Sequence, residues 1–141
     1  MNNFIKATIL LLLSSNIYAK SDDLCLAEAI YNEARGESEL GKQAVSAVVL
    51  NRAKKSGMSL CKVVYYPGQF SWTKRKKSSK VSDDILELAK KLSHGKFKDP
   101  TNGSTFFCTK RIMKRFQKAN KLRLATIIGN HAFFYGEFVS G

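Results

Sequence analysis

The sequence predicts an α+β fold that is mainly helical, with a small antiparallel sheet in its last third. Three amphipathic helical patterns occupy much of residues 22–95, where small polar residues precede each helix and glycine follows it. Near the end of the chain, Gly129-Asn130 forms a two-residue hairpin signal before an aromatic segment. No internal repeat or linker divides the chain, so we expect a single domain.

The first residues predict an export signal. Lys6 gives a positive start, residues 7–15 are an apolar run, and Ala19 is a small residue at the expected cleavage point. The apolar run is well short of the ~20 residues that a membrane-spanning helix needs. We therefore expect residues 1–19 to be a signal peptide and residues 20–141 to act in the periplasm or outside the cell.

The helices are predicted from their caps. The first should open at about residue 24, after Ser21 and two acidic residues, and run to residue 34. The second should run from residue 39 to a stop at Gly57, and the third from about residue 82 to a stop at Gly95.

The remaining segments are less regular. Residues 60–73 are rich in aromatic side chains and contain the turn signal Pro67-Gly68, so we interpret them as a binding loop. In the last third, residues 104–108 are strand-like, residues 110–119 are helix-like, and residues 124–128 are β-branched and precede the hairpin.

The chain is strongly basic, with 24 Lys and Arg against 11 Asp and Glu and a formal net charge of +13. Such a charge favours a polyanionic partner, which could be a wall, a membrane surface or nucleic acid. Export argues against nucleic acid, so we expect electrostatic contact with an anionic wall or membrane surface. We interpret the lysine-rich run 74–80 as a solvated face, and we expect a monomer.

Three cysteines, Cys25, Cys61 and Cys108, allow three pairings with one thiol left over. An exported chain is expected to oxidise a pair whose geometry is suitable. We predict a Cys25–Cys61 disulfide, because it would tie the start of the first helix to the loop after the second. The alternative is that all three are small, buried apolar residues.

Glu33 is the candidate acid catalyst. It lies three positions after Ile30 and seven after Leu26, so it continues the inward-facing stripe of the first helix. Partial burial and the negative end of the helix dipole both disfavour its carboxylate, so its pKa should rise, as a general acid near neutral pH requires. The alternative is a structural ion pair with Arg35 or Arg52.

Several blocks along the chain share their residues and their order with one known family. They lie at residues 26–37, 41–45, 49–52, 63–72, 99–103 and 128–131, and include Glu33-Ala34-Arg35-Gly36-Glu37, Val49-Leu50-Asn51-Arg52 and Tyr66-Pro67-Gly68-Gln69-Phe70-Ser71-Trp72. With these blocks the chain resembles the SleB-type cell wall hydrolases, the germination-specific spore-cortex-lytic enzymes and their phage and bacterial relatives. The resemblance covers nearly all of residues 20–141.

The resemblance implies a lysozyme-like fold for residues 20–141, related to the resuscitation-promoting factors and lytic transglycosylases. It implies that Glu33 is the catalytic acid in cleavage of peptidoglycan glycan strands between N-acetylmuramic acid and N-acetylglucosamine, leaving a 1,6-anhydro end. One carboxyl group can serve that outcome without water, and no cofactor or metal is expected.

Hydrolysis, as in a muramidase, normally calls for a second carboxylate. Glu37 is the obvious candidate. Gly36 is expected to break the helix between the two acids, so the distance between their carboxylates does not follow from the sequence spacing. The alternative for Glu37 is an acid in the first turn of the second helix, or an ion-pair partner for it.

The substrate contacts are predicted from residue types that suit N-acetylated sugars, which combine flat apolar faces with amide groups. Gln69 is expected to face the substrate and Phe70 to pack in the core. Asn102 and His131 match family positions near the cleft, although a histidine after a hairpin is often structural. The predicted substrate-binding residues are Glu37, Tyr66, Gln69, Trp72, Asn102 and His131.

Two other function classes remain open at this point. An N-acetylmuramoyl-L-alanine amidase of the zinc type would need about three protein ligands. The sequence has only His94 and His131, and neither has metal-binding spacing. A non-catalytic cationic protein could instead bind a wall polymer or a membrane through charge alone.

Overall fold

The computed structural model describes residues 20–75 and 80–138. The predicted signal segment and residues 76–79 of the lysine-rich run lie outside the described residues. The helices are α1 (Asp22–Ala34), α2 (Glu39–Ser56), α3 (Leu60–Val64), α4 (Asp83–His94) and α5 (Met113–Asn120), with 3₁₀ helices at Ser71–Lys74 and Lys110–Ile112. The strands are β1 (Phe106–Thr109), β2 (Arg123–Ile128) and β3 (His131–Tyr135).

The predicted caps of the first two helices are confirmed. The Ser21 hydroxyl accepts a hydrogen bond from the backbone N–H of Leu24, and the Ser38 hydroxyl accepts one from the N–H of Gly41. Gly57 ends α2 in the left-handed conformation, with φ of 71°, which glycine adopts at little cost. Helix α1 begins two residues earlier than predicted, because Ser21 is its cap.

The interpretation of residues 60–73 as an irregular loop is wrong at both ends. Ser59 caps a short helix, α3, whose Leu60, Val63 and Val64 side chains are buried, and a 3₁₀ helix begins at Ser71. The neighbouring aromatic residues suggested a loop, although Ser59 followed by apolar residues is a pattern typical of a capped helix. Between the two helices, the turn predicted at Pro67-Gly68 is present, and Gly68 has φ of 81°.

The sheet is antiparallel with strand order β1-β3-β2. Gly129-Asn130 connects β2 to β3 as predicted, and Gly129 has φ of 57°. Because β3 is the central strand, its residues 131–134 are buried. The prediction of a mainly helical α+β fold with a small antiparallel sheet is confirmed.

Helix α1 lies at the centre of the helical part and packs against α2, α3 and α4. The predicted Cys25–Cys61 disulfide is present and joins α1 to α3, while Cys108 is a buried free thiol in β1. In the described part of the chain, no helix combines the length and apolar character needed to cross a bilayer.

Candidate active site

Glu33 lies in the last turn of α1, half-buried, where the helical part meets the sheet. Its Oε1 accepts a hydrogen bond of 2.9 Å from the indole Nε1 of Trp72, in the 3₁₀ helix. Burial raises the pKa of Glu33, while the Trp72 hydrogen bond and the charge of Arg52 oppose the rise. The pKa of Glu33 is therefore raised, as predicted from the sequence, and burial is the main cause.

Arg52, on α2, is a buried cation near Glu33. Only 4% of it is exposed, its Nε donates to the carbonyl of Thr105 at 2.7 Å, and its guanidinium lies over aromatic rings. Burial lowers the pKa of Arg52 to about 10, and Glu33 acts in the opposite direction. Among the described residues, Arg52 has no carboxylate within ion-pair distance, so the tight Glu33–Arg52 pair considered from the sequence is absent.

Two cavities meet at Glu33. The first, the hairpin cleft, has a volume of about 420 Å³ and lies between the α1–α2 turn and the β2–β3 hairpin. Its lining comprises residues 32–37 together with Thr109, Asn130 and His131.

The second cavity, the aromatic cleft, has a volume of about 360 Å³ and lies against β1 and the Gly68–Ser71 segment. Its lining includes Arg52, Gln69, Phe70, Phe107, Cys108, Ile112 and Phe116. Glu33, Thr109 and His131 line both cavities, so the acid stands at the junction of an extended groove.

Glu37 lies in the hairpin cleft, but its carboxylate is held by the hairpin. Oε2 accepts a hydrogen bond of 3.3 Å from the backbone N–H of Asn130, and Oε1 lies 3.5 Å from Nδ1 of His131. A Cβ on Gly129 would overlap the same carboxylate, so the hairpin fits tightly around it. Glu37 therefore joins the α1–α2 turn to the sheet.

His131 begins β3 and is only 5% exposed. Burial lowers its pKa, although the neighbouring Glu37 acts to raise it. Its ring packs edge-on against Phe107, with 5.4 Å between centroids. The neutral ring therefore forms part of the floor that the two clefts share.

Three of the predicted substrate-binding residues, Tyr66, Trp72 and Asn102, do not line the two clefts. Trp72 is only 8% exposed, stacks on Phe70 and donates its indole N–H to Glu33. Tyr66 lines a different cavity, beside Tyr65 and Pro67. Asn102 is exposed on a turn with φ of 53°, where Asp99 binds the neighbouring backbone N–H groups.

Gln69 lines the aromatic cleft as expected, and Phe70 is buried as expected. The sequence did not single out Thr109 or Phe107, which β1 brings to the cleft. Neither had a signal of its own, since threonine and phenylalanine are ordinary strand residues.

Comparison with known proteins adds to this geometry. The sequence profile of a family described as cell wall hydrolases matches residues 36–134. The chain belongs to the cell wall hydrolase family. The matched range does not include Glu33, so the family match says nothing about that residue. Its position in the groove is given by the structure alone.

Curated relatives of this family member include spore cortex-lytic enzymes. That of Bacillus cereus is 38% identical over 58 residues, covering 40% of this chain and 22% of the relative. That of Halalkalibacterium halodurans is 30% identical over 92 residues, covering 64% of this chain and 28% of the relative. The chain thus spans roughly a quarter of the length of these curated relatives.

Two solved structures share the fold. The catalytic domain of the germination-specific lytic transglycosylase SleB from Bacillus anthracis matches with a TM-score of 0.68 and 24% identity, over 84% of this chain and 98% of that one. The catalytic domain of the Bacillus cereus SleB protein matches with a TM-score of 0.61 and 25% identity, over 84% and 93%. The SleB-like fold implied by the sequence resemblance is therefore confirmed.

Proposed function

We propose that this chain cleaves peptidoglycan glycan strands between N-acetylmuramic acid and N-acetylglucosamine as a lytic transglycosylase, with Glu33 as general acid and base. The observation that carries the proposal is the position of Glu33 where the two clefts meet. A polymer that is cut internally must extend to both sides of the acid. Membership of the cell wall hydrolase family and the fold of the SleB catalytic domains support the same substrate class.

In the first step, protonated Glu33 donates its proton to the bridging oxygen as the glycosidic bond breaks, and positive charge develops on the anomeric carbon. The carboxylate left on Glu33 then accepts the proton of the sugar's own 6-hydroxyl as that oxygen bonds to the anomeric carbon. Glu33 returns to its protonated form and no water is consumed. Partial burial favours the protonated starting state.

The neighbours of Glu33 suit the charged intermediate state. The Trp72 indole N–H is already bonded to the carboxyl group, and the buried cation Arg52 lowers the energy of the carboxylate. Both interactions are stronger once the proton has left. Trp72 and Arg52 are therefore placed to stabilise the Glu33 carboxylate between the two proton transfers.

The environment of Glu37 favours transglycosylation over hydrolysis. A muramidase of the usual type would use a second carboxylate to attack the sugar or to activate water. The Glu37 carboxylate instead accepts the Asn130 N–H and faces His131. We infer that Glu37 maintains the shape of the hairpin cleft. It can contact substrate there without acting as a second catalytic carboxylate.

Gln69 and His131 are the side chains best placed to contact sugar. Gln69 lies in the aromatic cleft, where its amide can donate to and accept from an N-acetyl group. His131 lies in both clefts and keeps an uncharged ring. Neutral polar groups beside apolar rings are a suitable lining for an N-acetylated sugar.

We also propose that residues 1–19 direct export and are removed after Ala19. The Cys25–Cys61 disulfide supports this location, since such bonds persist in oxidising compartments. The mass of protein recovered from the periplasm or medium checks the proposal, because cleavage leaves Lys20 as the first residue. An intact N-terminus would contradict it.

The reaction is tested by incubating purified protein with peptidoglycan and identifying the released fragments by mass spectrometry. We expect muropeptides with 1,6-anhydro ends. Reducing ends would indicate a muramidase, and free stem peptides an amidase. Activity that survives a metal chelator would further exclude the zinc amidase, and release of no fragments would favour the cationic binding protein.

A further inference from the structure

The segment that forms one side of the aromatic cleft carries a dense positive charge that the proposed reaction does not use. Residues 100–136 contain no Asp or Glu. Seven Lys and Arg side chains fall within 110–123, and all seven are exposed: Lys110, Arg111, Lys114, Arg115, Lys118, Lys121 and Arg123. We call this set the basic surface.

Among the residues that the structure describes, the basic surface has no acidic partner at ion-pair distance. The ion pairs of residues 20–75 and 80–138 involve Lys20, Lys90, His94 and His131, and none of the seven. Arg123 instead lies over the ring of Tyr135, 4.4 Å from its centroid. Mutual repulsion among the cations is therefore uncompensated until an anion binds.

The basic surface adjoins the groove through α5. Ile112 and Phe116 line the aromatic cleft, and Phe116 also packs on Phe134 of β3 with 5.7 Å between centroids. Arg115 lies between these two cleft residues in sequence, and Arg111 lies one helical turn before it. Each arginine directly precedes a residue that lines the cleft, Arg111 before Ile112 and Arg115 before Phe116, and both are exposed, so their side chains start next to the cleft.

We propose that Arg111 and Arg115 bind the carboxylates of the stem peptides that branch from the glycan strand in the groove. This inference rests on the proposed function. In peptidoglycan the peptide leaves the lactyl group of N-acetylmuramic acid, so its acidic groups lie close to any glycan in the cleft. Arginine suits this ligand because its planar guanidinium binds carboxylates with two parallel hydrogen bonds.

A membrane is a poorer match for this surface. A helix that binds in the plane of a bilayer needs a free apolar face to insert. The apolar residues of this segment, Ile112, Met113 and Phe116, pack against Cys108, Ala132 and Phe134 of the sheet. These apolar residues are partly buried, whereas the side chains that are exposed in residues 110–118 are all basic, which suits a soluble anion on the substrate.

The test compares two substrates on the full exported chain. One is glycan strands with native stem peptides, and the other is the same strands after their peptide carboxylates have been converted to amides. We expect the parent to show a KM about three- to ten-fold lower for the native strands, in line with the modest strength of exposed ion pairs. The preference should disappear at 1 M salt, where the Debye length is about 3 Å.

The variant Arg111→Gln/Arg115→Gln should bring the KM ratio of the two substrates close to one. The control is Lys54→Gln/Lys55→Gln, which removes the same charge from the exposed last turn of α2 and should keep the parent's preference. Equal KM values for the parent on the two strands would overturn the inference. Loss of the preference in the control would also overturn it, because overall charge would then be the cause.

A membrane role is separated by sedimentation with vesicles of anionic phospholipid. Vesicle binding that depends on Arg111 and Arg115, with equal cleavage of the two strands, would overturn the inference in favour of a membrane. Cleavage of the amidated strands by the parent establishes the proposed reaction independently. Failure of the parent on both strands would count against the proposed function itself.

Discussion

Helix α1 carries two inward-facing glutamates in contrasting surroundings. Glu28 is 2% exposed, and its carboxylate accepts hydrogen bonds from Lys20 Nζ and the Tyr65 hydroxyl. Glu33, little more than one turn later, accepts a hydrogen bond from Trp72 and faces the groove. Arg52, the cation whose charge lowers the pKa of Glu33, is outside ion-pair distance and donates to the Thr105 carbonyl.

The difference separates a structural acid from a reactive one. A buried carboxylate that is paired with a cation and a hydroxyl is stable in its charged form and contributes to the fold. A carboxylate that is partly buried, underpaired and open to a cleft holds its proton more readily and can give it to a ligand. The two residues lie roughly 140° apart around the helix axis. Both face inward because α1 packs against α2, α3 and α4, so an inward position alone does not distinguish them.

The largest expected effect is on activity. Glu33→Gln should lower the rate of glycan cleavage by about 10²- to 10⁴-fold, because the amide cannot donate the proton that a positioned general acid supplies. Release of anhydro-muropeptides measures the rate. Glu28→Gln is the matched control on the same helix, and folded Glu28→Gln protein should cleave at nearly the parental rate. Comparable rates for Glu33→Gln and the parent would reject Glu33 as the catalyst.

The next effect is on stability, and here the change at Glu28 should have a larger effect than the change at Glu33. Glu28→Gln should lower the free energy of unfolding by about 1–3 kcal/mol, because it breaks a buried charge-assisted network. Glu33→Gln should be neutral or stabilising near pH 7, since burial disfavours its carboxylate. Urea denaturation of the two variants measures both values. A larger loss for Glu33→Gln would show that Glu33, too, is a structural acid.

The same contrast predicts a pH effect at Trp72. The acid must be protonated, so the parental rate should fall as pH rises through the pKa of Glu33. Trp72→Phe removes the hydrogen bond that favours the carboxylate, so the pKa of Glu33 should rise and the fall should move to higher pH. Profiles of kcat against pH test this. Phe70→Leu is the control for aromatic packing, and an equal displacement in that variant would assign the effect to packing.

The smallest expected effect is at Glu37. Glu37→Gln keeps an oxygen that can accept the Asn130 N–H, so the hairpin should hold and cleavage should fall by less than about ten-fold. The products should still carry anhydro ends. Mass spectrometry of the fragments is the measurement. A loss as large as that of Glu33→Gln would make Glu37 a second catalytic carboxylate and would favour the hydrolytic muramidase.

The local features of the fold could be predicted because their causes are local. Ser21 and Ser38 cap helices through hydrogen bonds to residues only three positions away. Gly129 adopts the positive φ that its two-residue turn requires. The missed helix α3 is also local, but its cap and short apolar pattern lie within an aromatic segment that suggested a ligand loop. In that segment the cap at Ser59 and the burial of Leu60, Val63 and Val64 decided the structure.

The sequence by itself determined the family, the fold class and the inward position of Glu33, because each follows from residue types at fixed spacing. For the disulfide it left three pairings open, and the contact between α1 and α3 decided among them. Only the tertiary structure decided which neighbours surround that acid. Trp72 lies 39 residues from Glu33 in sequence, and Asn130 lies 93 residues from Glu37, so no local spacing relates them. Burial and charge at Glu33 depend on these distant contacts, and the tertiary structure therefore decides how its proton is held.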